Sequence, residues 1–385
     1  MIFHGYYRDN GSIGVRNHVL IIPTVICASS TAKLIAERVY GVKYLNNPYG
    51  CGQVGEDLKQ TVNTLIGLGV NPNVAAVLVV SLGCEGVDAK VVTEEIAKSG
   101  KPVELLVIQE VGGTLKTVEK GVRIVREMVQ EALKLKREEA SVSKLIVALE
   151  CGGSDTTSGI ASNPAVGVAS DMIIDMGGTV IISEVPEFIG AEHIFAERAV
   201  NEDVKMEIIK TVIEYEKYLK SYGVDFRGAQ PSPGNIAGGL TTIEEKSLGA
   251  IHKAGRSIVK GVLKYAEKPS GNGLYLMNTP GFDVSSIVGM VAGGAQIILF
   301  TTGRGTPVGN PIAPVIKITG NPETAEKMRD DLDVDVSGII LGTESIEEAG
   351  RKIFKELIEV ASGKPTKSEV LNYNEFGIFR IGPTF

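Results

Sequence analysis

The chain has 385 residues, 43% of them hydrophobic and 22% charged, with a formal net charge of −7. That balance suits a globular protein of two or three domains. Acidic residues are spread along it without any Lys/Arg cluster or basic–aromatic interleaving, which excludes a nucleic-acid-binding role.

Apolar, strand-like runs alternate with helical patterns almost from end to end. The expectation is a strand at 19–26, then a turn at Ser29-Ser30-Thr31 and an amphipathic helix over 32–40. A strand at 74–82 precedes a helix at 88–99, and a strand at 103–109 precedes a charged helix at 114–136. These strands read as continuous Val/Ile/Leu rather than alternating at every second residue, which predicts parallel sheets covered on both faces. Arg137-Glu138-Glu139-Ala140-Ser141 closes this series and places a domain boundary near residue 140. The second series runs through strands at 144–149 and 179–183 and a helical stretch at 191–222. Strands at 274–277, 296–300, 315–318 and 336–341 follow, then a helix at 345–361. Within it, 228–246 is rich in Gly, Pro, Ser and Asn and reads as a functional loop. The tail 372–385 mixes Phe, Ile and Arg and is expected to dock on the body. The fold class is thus α/β, in two domains with largely parallel sheets covered by helices, 1–140 and 141–385.

The longest apolar runs, such as 74–82 and 287–291, are too short to span a bilayer. Met1-Ile2-Phe3 soon gives way to polar Tyr7-Arg8-Asp9-Asn10, unlike a signal peptide, so the expected location is cytoplasmic, with no membrane contact. Thiols stay reduced there, so a metal or catalytic role suits the four cysteines better than a disulfide framework. Cys51, Cys84 and Cys151 are flanked by glycine. Ligands gather at the carboxyl ends of parallel strands, so these three thiols are expected to converge there, where thiolates suit iron or zinc. For Cys27 the simpler reading is a small buried hydrophobe. The 46 glycines cluster after strands, as close backbone approach to a ligand requires.

Other motifs carry chemistry in chain order. Arg8 and Arg16, with Asn17 beside a turn-forming Asp-Asn-Gly, are placed to clamp a carboxylate, or to solvate a surface turn. Glu150-Cys151-Gly152-Gly153-Ser154-Asp155 follows a strand, and a plain strand-to-helix turn has no need of a thiol and two carboxylates together. Glu184, Glu187 and His193 offer oxygen and nitrogen ligands or an acid–base pair. Asn235 and Lys246 lie in the loop-like stretch. Thr301, Thr302 and Arg304 end another strand with the hydroxyls and guanidinium that a hydroxy-carboxylate needs. There is no Walker A sequence, no Gly-x-Ser-x-Gly elbow and no credible dinucleotide fingerprint, which disfavours nucleotide-dependent enzymes and serine hydrolases.

Several phrases together resemble one family. They are Gly5-Tyr6 with the residues from Arg8 to Asn17, Cys27, the residues from Glu150 to Asp155, Ser158-Gly159-Ile160, and Asn163-Pro164-Ala165. Further along come the residues from Gly177 to Glu187, Gly190-Ala191-Glu192-His193, Pro231-Ser232-Pro233-Gly234-Asn235, Gly238-Gly239-Leu240-Thr241-Thr242, Glu245-Lys246-Ser247, Thr279-Pro280-Gly281, and the residues from Thr301 to Gly305. Spread over essentially the whole chain, they resemble the altronate and galactarate dehydratases, with the sulfolactate sulfo-lyases as a close branch.

The resemblance implies a lyase that removes water from a sugar acid, or sulfite in the branch, with ferrous iron as cofactor and Mn2+ as an alternative. It implies a dimerising first domain, giving a homodimer of this large subunit, and a Rossmann-like, metal-bearing C-terminal domain. Full-length relatives carry a small β-rich domain ahead of the matching region, so a separate small subunit is the expected partner. Under that reading, iron is held by some of Cys51, Cys84, Cys151, Glu184 and His193, and a 4Fe–4S cluster on the three glycine-flanked cysteines is the runner-up. Lys246 or His193 is the candidate base, and Arg16 and Arg304 are the candidate carboxylate clamps. Asn17, Ser154, Asp155, Asn235, Thr301 and Thr302 are candidate substrate contacts. A non-catalytic assembly subunit is the alternative from another class.

Overall fold

The computed structural model describes residues 1–223 and 225–385. β1 (Ile2–Tyr7) folds back antiparallel on β2 (Ile13–Gly14). β3 (His18–Pro23), β4 (Val42–Tyr44), β5 (Val74–Ser81) and β6 (Val103–Val107) form a parallel sheet in the order β4-β3-β5-β6. β5 is buried at every residue, as a strand covered on both faces must be. Alternate residues of β3 feed two layers. Val19 and Ile21 pack with Ile35 and Val125 from the helices Ile26–Ala36 and Thr114–Ala132. Leu20 and Ile22 pack with Leu65 and Val92 from the helices Gly55–Val70 and Ala89–Ala97.

β7 (Glu138–Ser141) returns to pair antiparallel with β1. The remaining strands are β8 (Ile146–Cys151), β9 (Thr179–Ile182), β10 (Val259–Leu263), β11 (Gly273–Met277), β12 (Ile297–Thr301), β13 (Val315–Thr319) and β14 (Val334–Asp335). They form one seven-stranded sheet in the order β10-β11-β9-β8-β12-β13-β14, every pair parallel. The α/β class with helix-covered parallel sheets is therefore as the apolar runs predict. The chain leaves β8 to one side for β9 and returns on its other side as β12. A sheet that reverses in this way opens a crevice at the carboxyl ends of those strands.

The helices Gly55–Val70 and Asp283–Ala292 share one apolar layer between the two parallel sheets, with Leu65, Leu68, Ile287 and Val291 in the same cluster. Buried Asn71 secures it, its side-chain amide donating to the carbonyls of Val291 and Ala295 at 2.8 and 2.9 Å. A Cβ on Gly67 would lie 2.4 Å from the Ala292 carbonyl oxygen, so the carboxyl ends of the two helices touch. Both helices therefore start on the same side of the molecule. The tail spans those starts: Gly377 lies beside Ser285, Arg380 pairs with Asp57 at 2.7 Å, and Phe385 N–H donates to Gly52 O.

Several elements differ from expectation. The stretch 191–222 is two helices, Glu192–Ala196 and Glu202–Lys220, because Asn201 caps the second by accepting from Val204 N–H. Residues 228–246 hold the helix Pro233–Ala237 and the start of Ile243–Ile251, so the Ser, Thr and Pro that suggested a loop are helix-start residues at Ser232, Pro233 and Thr242. The expected strand at 336–341 is instead a turn, Ser337–Ile339, that follows β14, and Asp335 accepts from Ser337 N–H. β1 and β10, the latter broken by Lys260 and Gly261, were hidden by their mixed polarity. No helix among the described residues is long and apolar enough to cross a membrane.

Candidate active site

Charged side chains converge where the carboxyl ends of β8, β9 and β11 meet. β8 delivers Glu150 and Cys151 in its last two positions. β9 runs into Glu184 and the turn Val185–Phe188, which carries Glu187. The segment after β11 starts the helix Asp283–Ala292, and Lys253 comes from the turn His252–Ala254. Glu150, Glu184, Glu187 and Lys253 are at most 3% exposed, so their charges must be paired or neutralised.

The cluster has two poles sharing Glu184. Ligand atoms of Cys151, Glu184 and Glu187 lie within 4.8 Å of one another, as do those of Glu150, Glu184 and Asp283. At the first pole Lys253 Nζ sits 2.6 Å from Cys151 Sγ and 2.8 Å from Glu187, and Lys246 Nζ is 3.5 Å from the other Glu187 oxygen. At the second, Glu150 accepts from Cys151 N–H and from Ser183, whose hydroxyl accepts in turn from Ser286. Gly152 admits Asp283 to this pole, because a Cβ there would lie 2.0 Å from Asp283 Oδ2.

Glu184 is held in the left-handed region at φ 62° and ψ 69°, which costs a non-glycine residue about 1 kcal/mol or more. Its N–H donates to Thr279 Oγ1 at 2.7 Å and Val185 N–H donates to Thr279 O, which fixes the strained turn. Its Oε2 is buried with no hydrogen-bond partner. Backbone strain and an unpartnered buried oxygen are both features that cluster at functional sites.

Proton affinities separate sharply across the cluster. Burial, with Glu150 and Glu187 nearby, pushes Glu184 well above the carboxylate range, and burial beside Asp283 raises Glu150 to about 7. Burial also raises Asp283. Burial opposes ionisation of Glu187, but the ammonium groups of Lys253 and Lys246 prevail and hold its carboxyl below the usual range. Burial and Glu187 push the Cys151 thiol up to about 12. Lys253, opposed by burial but flanked by Cys151 and Glu187, is held well above the usual lysine value, and Lys246 is raised by Glu187 and Glu184 against the same opposition. At neutral pH the first pole is therefore ammonium, thiol and carboxylate, while the second is carboxyls sharing protons.

Three carboxyls clustered around an oxygen with no donor suit a divalent cation that takes oxygen ligands, and the adjacent thiol suits iron among them. Two cavities reach this region. One of about 120 Å³ is lined by Glu187, Lys246, Tyr215 and Gly281, and one of about 240 Å³ by Ser154, Asp155, Asn163 and Lys246. Lys246 borders both. A larger cavity of about 530 Å³ lies at the opposite, amino-terminal edge of the sheet beside Ile146 and Gln296, away from these acids.

The other expected residues sort by what their polar atoms already do. Cys151 and Glu184 are brought together, and Lys246 stands beside them. Cys51 and Cys84 are not gathered with Cys151, because they follow strands of the other parallel sheet and face solvent there. Cys27, read as buried, is exposed. His193 is exposed because its helix buries Phe195 and Ala196 instead, so it is neither ligand nor base here. Arg16 is no free clamp. Its guanidinium is spent on Glu369 at 2.6 Å and on the carbonyls of Val15, Val360 and Lys364. Asn17 likewise bridges Arg8 and Ala132 O.

Ser154, Asp155, Asn235, Thr302 and Arg304 do assemble in one neighbourhood, with Ser154 and Asp155 lining the cavity of about 240 Å³. Asn235 donates to Ser154 O, Arg304 donates to Gly234 O, and Arg304 N–H donates to Gly153 O. Asp155 is occupied as a turn acceptor for Thr157, Ser158 and Asn321, Thr302 accepts from Gly305 N–H, and Thr301 donates to buried Asn163. Lys253 was not anticipated, although a lysine between buried Ala250 and Ala254, on the apolar side of its helix, was a legible signal.

The comparison with known proteins agrees along the whole chain. Residues 5–133 match the family described as D-galactarate dehydratase/altronate hydrolase, second domain, and residues 142–384 match D-galactarate/altronate dehydratase, C-terminal. The chain is 42% identical over 381 residues to (2R)-sulfolactate sulfo-lyase subunit beta of Chromohalobacter salexigens, covering 98% of this chain and 97% of that one. It is 38% identical over 394 residues to altronate dehydratase of Bacillus subtilis, covering 99% and 78%. With galactarate dehydratase (L-threo-forming) of Escherichia coli the identity is 36% over 407 residues, covering 99% and 77%. The chain belongs to the D-galactarate and altronate dehydratase family.

Proposed function

We propose that this chain is the large, catalytic subunit of a lyase that carries out β-elimination on a 2-hydroxy acid, removing water from a sugar acid of the altronate or galactarate type. The observation that carries this is the pairing of an ionised Glu187, held by two lysines, with the strained Glu184 and its orphaned oxygen. Loss of water and loss of sulfite from such an acid both need the same two steps. A proton leaves the carbon next to the carboxylate, and a substituent leaves the next carbon.

Glu150, Glu184 and Asp283 are the residues that would hold a divalent metal, with ferrous iron preferred and manganese as the alternative. Such an ion would supply Lewis-acid polarisation of the bound hydroxy acid. Glu187 is ionised and lines a cavity, which makes it the acceptor of the C2 proton. Lys246 is an ammonium at the same cavity, which assigns it as the acid that protonates the departing hydroxyl rather than as the base. Lys253 and Cys151 stay protonated and hold Glu187 in place. Exposed Arg304 is the candidate to receive the distal part of the substrate, and Asn235, tied to Ser154 O and Ser232, braces the wall beside it.

A second reading, elimination of sulfite from sulfolactate, is favoured by the 42% identity to the sulfo-lyase subunit. That relative's designation as a subunit also supports a small partner subunit here, with residues 1–140 pairing two large subunits. The test is to purify the chain anaerobically with its partner and ferrous iron and to offer altronate, galactarate and (2R)-sulfolactate. Turnover of one of the sugar acids is expected. Sulfite release alone selects the second reading, and inactivity on all three contradicts both.

A further inference from the structure

The three cysteines outside the elimination site share one place in the fold. Cys27, Cys51 and Cys84 lie in the segments that follow β3, β4 and β5, which are neighbours in the order β4-β3-β5. Backbone hydrogen bonds stack these segments. Ile26 N–H donates to Tyr49 O at 2.9 Å, and Gly86 and Val87 N–H donate to Gly50 O at 3.1 and 3.3 Å. The Cys51 segment is thus tied on one side to that of Cys27 and on the other to that of Cys84. Gly50 makes the fit, with φ at 104° and no room for a Cβ, which would lie 2.0 Å from Thr24 O.

All three thiols are exposed, whereas Cys151 is buried. Free cysteine is among the residues most often buried, and three exposed on one strand edge need a reason. Cys27 stands in the first turn of the helix Ile26–Ala36, whose first turn has no side-chain cap and no acidic residue, so the positive end of the helix dipole is unopposed. Gln109 Nε2 donates to Cys84 Sγ at 3.7 Å. The carboxylate next to Cys84, Glu85, accepts from Thr24, Leu82, Gly83 and Cys84 and braces the segment.

We propose that Cys27, Cys51 and Cys84 bind an iron–sulfur cluster with one iron left without a protein ligand. Sulfur atoms gathered for one ion stand close together, and these three are not within 4.8 Å of one another among the described residues. A cluster places its own irons and sulfides between the thiolates, so it takes wider-set cysteines, and thiolates are the ligands such clusters use. The three cysteine segments lie on the side of the molecule on which the helices Gly55–Val70 and Asp283–Ala292 both start, which is also the side of the elimination site. The cluster does not depend on the assignment of that site.

The full chain, purified without oxygen, is reconstituted with ferrous iron and sulfide. Iron, acid-labile sulfide and visible absorption are then measured, with electron paramagnetic resonance after reduction. The expected result is bound iron and sulfide with a broad charge-transfer band, lost in each of Cys27→Ser, Cys51→Ser and Cys84→Ser and retained in Cys151→Ser. Circular dichroism of the serine variants separates cluster loss from unfolding. No sulfide bound by the wild-type chain, zinc bound in its place, a disulfide among the three, or loss of the band only in Cys151→Ser would each overturn the proposal. Loss of elimination in Glu187→Gln with the cluster intact would show that the two sites stand or fall separately.

Discussion

Lys253 and Cys151, 102 residues apart in sequence, meet at 2.6 Å, and the same ammonium lies 2.8 Å from Glu187. One buried cation therefore sets the protonation of two acids. Lys253→Met would leave Glu187 buried with only Lys246 and the Cys151 hydrogen bond to oppose burial. The carboxyl then rises and is neutral where it must accept a proton. The expected result is a fall in kcat of about 10²-fold or more at neutral pH. Part of the rate returns as the pH is raised, and urea unfolding shows a loss of about 3 kcal/mol. A pH–rate profile that keeps the wild-type acid limb would contradict this role.

Glu184 combines backbone strain with an orphaned carboxylate, so its removal should stabilise the protein. Glu184→Gly relaxes the left-handed backbone and deletes a buried acid, for an expected gain of about 1 kcal/mol or more in urea unfolding. Elimination is expected to be lost along with divalent-metal binding measured by calorimetry. A destabilised variant would mean that Glu184 is structural.

Arg16 and Glu369 form a partly buried pair of 2.6 Å joining residue 16 to the end of the chain, with side chains 10% and 20% exposed. Arg16→Met is expected to cost about 3 kcal/mol because it strands Glu369, which burial would raise but Arg16 holds below the usual carboxylate range. The double change with Glu369→Leu should cost much less than the sum of the single ones. KM for the hydroxy acid should not move, which separates this structural role from the carboxylate clamp that its position ahead of the first strand suggested.

His18 supplies a pH dependence of stability. Burial, with Lys43 and Arg16 adding to it, lowers the imidazole from 6.5 to about 3, although the residue keeps some exposed surface. Between those values the unfolded chain binds a proton that the folded chain refuses, so stability falls as the pH drops below about 6.5. From pH 7 to pH 5 the loss at this site is about 1 to 2 kcal/mol, discounted for the surface that solvent reaches. His18→Asn should remove that part of the slope in urea titrations at the two pH values.

The fold was largely legible because parallel strands buried on both faces leave unbroken runs of Val, Ile and Leu, as in β5 and β12. β1 and β10 escaped because they mix polar residues and glycine. The site was legible in part. Glu150-Cys151 and Glu184 stand at strand ends, where parallel sheets bind ligands. Which cysteines meet depends instead on which sheet each strand joins, and spacing along a chain does not carry that. Lys253 lies 102 residues from Cys151 in sequence and reaches it through the turn at His252–Ala254. The guanidinium of Arg16 looked available beside a turn, yet its partner Glu369 comes from the other end of the chain.

The most direct test of the elimination site is the rate of Glu187→Gln, assayed without oxygen, with ferrous iron and the partner subunit present. Glutamine keeps the size and one oxygen to accept from Lys253, but cannot accept the C2 proton. The rate is expected to fall by about 10²- to 10⁴-fold with native circular dichroism. A folded variant that turns over within about tenfold of the wild type would place the chemistry elsewhere in the molecule.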